Sequence, residues 1–85
     1  MAINIHFIEL TFDSELGITD TFKLKVKETC EFINNSTGYE IQSIDEWFRT
    51  VEGEELNISV PPLNKPFMQK IIQILTDKIK PEIMQ

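Results

Sequence analysis

The sequence has one cysteine, Cys30, and one histidine, His6. A lone cysteine excludes an intrachain disulfide. The two together are too few for a structural zinc site, which takes four Cys or His ligands. The uncharged stretch Met1 to Ile8 contains Asn4 and His6 and is far too short to cross a bilayer. It also lacks the basic segment that opens a signal peptide, so structure is expected there, with neither leader nor membrane anchor. Without a leader, the expected compartment is the reducing cytosol. The triplets Asn34-Asn35-Ser36, Asn35-Ser36-Thr37 and Asn57-Ile58-Ser59 are then not expected to carry glycans. No phosphate loop, dinucleotide fingerprint, nucleophile elbow or metalloprotease motif is present. No cofactor and no bound metal are therefore expected.

What is there is globular in composition: 85 residues, 41% hydrophobic and 26% charged. A single domain spanning residues 1–85 is expected. A chain of this size buries roughly 60–65% of its unfolded surface, so its stability should be modest. The net charge is −6 and unevenly placed. Four acids precede the first lysine, and Lys23, Lys25 and Lys27 follow in alternation. Eight acids against Arg49 then make the segment Glu28 to Glu55 strongly negative, while the rest of the chain is mildly positive. Phosphate is repelled by such an acidic middle, so nucleic acid is not an expected partner.

The clearest helix signal is Asn64 to Lys80. Phe67, Ile71, Ile74, Leu75 and Ile79 form one stripe, Asn64 can cap the start, Pro66 fits the first turn and Pro81 is expected to stop it. Residues 3–12 read as a strand whose apolar phase slips at Phe7-Ile8. A β-bulge there is preferred, keeping Ile3, Ile5 and Phe7 on the same core as Ile8, Leu10 and Phe12 and turning His6 outward. The alternative is a central strand buried on both faces. Phe22, Leu24 and Val26 alternate with the three lysines as a second strand, closing an antiparallel hairpin. Residues 28–36 continue this strand or open a short helix, with the helix favoured.

Tyr39 and Ile41 read as a brief extended piece. Ser43-Ile44-Asp45-Glu46 has the form of a capping box, followed by Ile44, Trp47, Phe48 and Val51 at i, i+3, i+4, i+7 and by Gly53. This spacing predicts a helix with Trp47 and Phe48 in the core. Leu56, Ile58 and Val60 form a third strand, which Pro61-Pro62 ends. The expected fold is α+β: a small antiparallel sheet of about three strands, with the hairpin at its N-terminus and two to three helices packed on one face.

Few residues suggest chemistry. His6 could act as a base with Glu9 or Glu15, but it reads more simply as a strand residue facing water. Cys30 lies among Glu28 and Glu31, a poor setting for a nucleophilic thiolate, and reads as structural. The lysines of the second strand could match phosphates, but no aromatics interleave with them, so protection of a strand edge is the simpler reading. Asp13-Ser14-Glu15-Leu16-Gly17 has some likeness to the serine loop of acyl carrier proteins. The carrier serine opens a helix in an all-helical chain, whereas this one lies between strands, so no carrier site is assigned.

Asp45, Glu46, Glu52, Glu54 and Glu55 are the densest acidic run. They lack the spacing of a calcium loop and suit a basic protein surface. The expectation is a small acidic protein-binding module, such as an inhibitor, immunity factor or adaptor, and not an enzyme. The alternative is a homo-oligomeric structural or assembly subunit, suggested by the hairpin and the apolar tail Ile83-Met84.

Overall fold

A computed structural model describes residues 1–83. Met84, in the apolar tail read from the sequence, lies outside the described residues. The described chain is a four-stranded antiparallel sheet followed by one helix. Strands β1 (Ala2–Glu15), β2 (Ile18–Glu31), β3 (Ser36–Val51) and β4 (Glu54–Asn57) lie side by side in chain order. Helix α1 (Pro66–Ile83) crosses one face of the sheet. The other face carries no covering layer among the described residues.

These findings overturn the expected three strands with two to three helices. The segment taken for a Trp47 helix is the second half of β3. Two β-bulges explain the false helical spacing. Register slips between Lys23 and Leu24 and between Lys25 and Val26 leave Asp45 and Gln42 unpaired in β3. Each extra residue advances the phase by one. Tyr39, Ile41, Ile44 and Trp47 therefore all face α1, at intervals of two, three and three. Ile44 and Trp47 sit three apart as they would on a helix, although the backbone is extended. Phe48 falls on the uncovered face and is only half-buried, not in the core. The supposed cap, Ser43, instead donates a 2.8 Å hydrogen bond to Asp45 Oδ1 beside the bulge.

Residues 28–31 continue β2, and residues 32–35 form the turn into β3, so no helix starts at Glu28. Pro81 lies inside α1 and does not end it. No bulge occurs at Phe7-Ile8, since β1 pairs with β2 without interruption from Ala2 to Asp13. The apolar phase of β1 really changes face. Ile8, Leu10 and Phe12 lie under the helix, whereas Ile3, Ile5 and Phe7 are 55%, 46% and 75% exposed on the uncovered face. His6 is correspondingly turned to the helix side, not outward. Nor is β1 central: it is an edge strand.

The core is built from β1 Leu10, β2 Phe22, Leu24 and Val26, β3 Ile44 and Trp47, and α1 Met68, Leu75 and Ile79. Burying side chains of this size contributes about 1.5–3 kcal/mol each, the main gain available to a chain this short. A stack of rings runs across it. Phe12 and Phe22 lie 5.8 Å apart, Phe22 and Trp47 5.0 Å, and Trp47 and Phe67 of α1 6.0 Å. The stack ties β1, β2 and β3 to the first turn of α1.

Two-residue turns join β1 to β2 and β3 to β4. In the second, Glu52 (φ 52°) and Gly53 (φ 81°) are both left-handed, as a type I′ hairpin turn requires. A β-carbon at Gly53 would meet nothing within 4 Å, so the cost of adding one is conformational alone. Gly53→Ala is expected to cost about 1–2 kcal/mol in chemical denaturation. Gly38→Ala, at an equally open position without positive φ, should cost nothing. Equal losses at both sites would contradict the turn assignment.

Candidate functional site

Three polar groupings stand out. The first is buried. Asp20, 3% exposed, lies on the helix face of β2. It accepts bonds from Trp47 Nε1 (2.9 Å), Arg49 Nε (2.9 Å) and Arg49 Nη2 (3.2 Å). Burial works against its ionisation, but the bonds from Arg49, Trp47 and Ser14 outweigh it and hold the carboxyl below its ordinary 3.8. Arg49 also lies over the Trp47 ring at 5.4 Å. The Trp47 indole and two Arg49 nitrogens are thus bonded within the fold, so the grouping ties β2 to β3, while the Arg49 side chain keeps about a third of its surface exposed.

The second grouping lies on the same face near the other end of the sheet. Glu28 accepts a bond from Asn4 Nδ2 (3.0 Å) and lies 3.3 Å from His6 Nε2. The bond from Asn4, then those from His6 and Tyr39, hold the Glu28 carboxyl below its ordinary value. Burial and the Glu28 carboxylate push the Tyr39 hydroxyl up. The partner of His6 is thus Glu28, not Glu9 or Glu15. A strand-distant pairing of this kind is set by register and has no local sequence signal. Cys30, half-buried, is the next residue along this face of β2.

The third is the uncovered face, which register resolves into rows across the strands. Ile5 sits beside Lys27 and Glu40, Phe7 beside Lys25 and Ser43, Glu9 beside Lys23 and Glu46, and Asp13 beside Thr19, Thr50 and Glu55. Lys23 Nζ is 3.0 Å from Glu46, and Lys27 Nζ is 3.2 Å from Glu40. Glu46 holds the Lys23 ammonium in its charged form, with Glu9 and Glu55 adding to the effect. Lys23 also lies over the Phe48 ring. The lysine column of β2 is therefore central in the sheet and partly neutralised from both sides. It protects no edge.

The five acids taken from the sequence as a binding segment are not one cluster. Asp45 is exposed at a bulge, and Glu46 is held by Lys23 on the uncovered face. Glu52 lies in the β3–β4 turn, and Glu54 and Glu55 are exposed on β4, which is the second edge strand. The turn and β4 bring Glu52, Glu54 and Glu55 together at one corner, with Asp45 and Glu46 several residues away along β3. Among the described residues, no group of three or more His, Cys, Asp and Glu side chains could hold a metal ion. No described helix is long and apolar enough to cross a membrane.

The sequence reading missed the exposed apolar residues on the other side. Met1, Ile3, Ile5 and Phe7 on the β1 side and Phe32 and Ile33 in the β2–β3 turn are all exposed. Met1, Phe32 and Ile33 line one surface depression. The signal for them was the phase slip at Phe7-Ile8 itself. Comparison of the chain with protein-family models, curated proteins and solved structures gives no match.

The Asp20 carboxyl couples stability to pH. Its folded pKa lies below its unfolded one, so its ionised network stabilises the fold fully above about pH 4 and less as pH falls through the folded value. Asp20→Asn should cost about 3 kcal/mol, leaving Arg49 without its counter-charge, and should flatten the decline of stability below pH 4. A wild-type slope retained in Asp20→Asn would place that titration elsewhere.

Proposed function

We propose that this chain is a protein-binding module that docks its acidic β3–β4 corner onto a basic surface of another protein, as inhibitors, immunity factors and adaptors do. The observation that carries the reading is the exposure of Glu52, Glu54 and Glu55 together on a tight turn and an edge strand. Asp45 extends the negative surface along β3, and Glu46 is held in place by Lys23. Such a field acts mainly on the rate of encounter and on the orientation of the partner. The reading excludes catalysis and nucleic acid binding as principal roles. It places the protein in a reducing cytosol, in keeping with its single cysteine.

The exposed Ile3, Ile5 and Phe7 favour a second reading, a homo-oligomeric structural or assembly subunit. The two readings are compatible, because the acids and the apolar residues lie at opposite edges of the sheet.

Tagged wild type and the triple variant Glu52→Lys, Glu54→Lys, Glu55→Lys test the first reading by differential capture from the source cells at low salt. Wild type should retain a basic protein that high salt releases. The triple should keep its fold, since exposed charges add little to stability, and should associate with that protein at least about tenfold more slowly. Equal association by the triple would move the docking surface away from this corner.

A further inference from the structure

We propose that two copies of this chain associate through the outer edges of β1, antiparallel about a two-fold axis at Ile5, so that their sheets join into one of eight strands. The inference rests on the second reading, a homo-oligomeric subunit, and gives it an interface; it is independent of docking to a basic partner. Among the described residues only β2 pairs with β1, so the opposite edge presents unpaired backbone N–H and C=O groups. Over Ala2 to Ile8 this edge runs about 24 Å at the usual rise per residue.

The two edges of the sheet differ in how they resist such pairing. Strand β4 is four residues long and opens with Glu54-Glu55. Short length and charge are the usual protection against pairing. The first half of β1 has none: no lysine, no proline, no charge, and no register irregularity before Asp13. Because only one edge is open, pairing of two copies closes the assembly and leaves protected β4 edges outside.

Charge and side-chain type select the register. With Ile5 on the axis, Ile3 of each copy lies against Phe7 of the other on the uncovered face. On the helix face, Asn4 lies against His6 and Ala2 against Ile8. Apolar residues meet apolar ones and polar residues meet polar ones on each face. Glu9 falls opposite Met1, and Asp13 and Glu15 lie beyond the paired segment. A register centred on Phe7 sets Glu9 against Ile5, and one centred on Glu9 sets two carboxylates face to face. A two-fold axis perpendicular to the sheet also places both helices on the same face. Lys78 lies over Phe12, at the half of β1 away from the paired segment.

Ile5→Glu is the decisive variant. Within one chain the new carboxylate sits beside Lys27, which suits it, whereas across the axis it meets its own copy. Purified wild type, followed by sedimentation over a concentration series, should reach twice the 9.9 kDa chain mass, and salt should not dissociate it because the net-negative copies repel. Ile5→Glu should stay at the single-chain mass and still melt cooperatively, at a temperature that no longer rises with protein concentration. The Glu52, Glu54, Glu55 lysine triple should dimerise like wild type, which separates this surface from the acidic corner. Hydrogen exchange provides a readout independent of the variant: amides in Ala2–Ile8 should gain protection as wild-type concentration rises. Wild type at single-chain mass throughout, a dimer that survives in Ile5→Glu, or edge amides that stay unprotected in the dimer would each overturn the proposal. So would pairing of this edge only with a strand of a different protein.

Discussion

The fold depends on one buried contact, the hydrogen bond from the Trp47 indole to the Asp20 carboxylate. Trp47 is the ring through which β2 and β3 reach the helix, stacked on Phe22 at one side and on Phe67 at the other. An indole N–H buried in this position needs an acceptor, and a buried carboxylate needs a counter-charge. Asp20 supplies the first and Arg49 the second, so three residues satisfy one another in a core otherwise apolar. Ser14, unpaired at the register slip near the end of β1, also favours the ionised form of this carboxyl. The network thus joins β1, β2 and β3 at the point where the ring stack crosses them.

The two faces of the sheet are organised by different forces. Under α1 the residues are held by burial. On the uncovered face they are held by charge: Lys23 and Lys27 in the middle strand, Glu46 and Glu40 beside them. This arrangement neutralises the lysine column locally while leaving the molecule acidic at the β4 corner and uncharged along the first half of β1. The surface therefore has two chemically distinct edges separated by the width of a sheet.

Parts of this were legible in the sequence for physical reasons. Strand β2 and the terminal helix rest on regular periods, two and 3.6, that tolerate few readings. Helix α1 nevertheless runs through Pro81, which lacks the N–H that would have bonded to the Asp77 carbonyl, so a residue that local rules read as a stop leaves the last turn helical. The middle of the chain was misread because bulged strands lose their period. Gln42 and Asp45 shift β3 twice, and the result matches a helix repeat across Ile44, Trp47, Phe48 and Val51. Gly53 reinforced the error, because a left-handed glycine ends helices and turns hairpins alike. The Ser43 motif failed similarly: the hydroxyl does bond locally, but to a side chain on a strand. Of the five acids read as one segment, Glu52, Glu54 and Glu55 gather at the β3–β4 turn, apart from Asp45 and Glu46. Trp47 and Arg49, which bond Asp20, and Asn4 and His6, which hold Glu28, lie more than twenty residues away in sequence and become visible only once strand register is known.

The placement of the one covering layer after all four strands has a consequence for how the chain reaches this structure. A meander pairs neighbours in sequence, so each hairpin can close soon after it is made. The apolar face of the sheet, however, has no partner until α1 follows, beyond Pro61-Pro62. During synthesis, the interval between completion of β3 and emergence of the helix is a period in which Leu10, Phe22, Leu24 and Trp47 face water. In this interval the growing chain is open to misassociation on both sides of its sheet. The stiff diproline link and the Phe67 ring stacked near Trp47 set where the first turn of α1 meets the sheet.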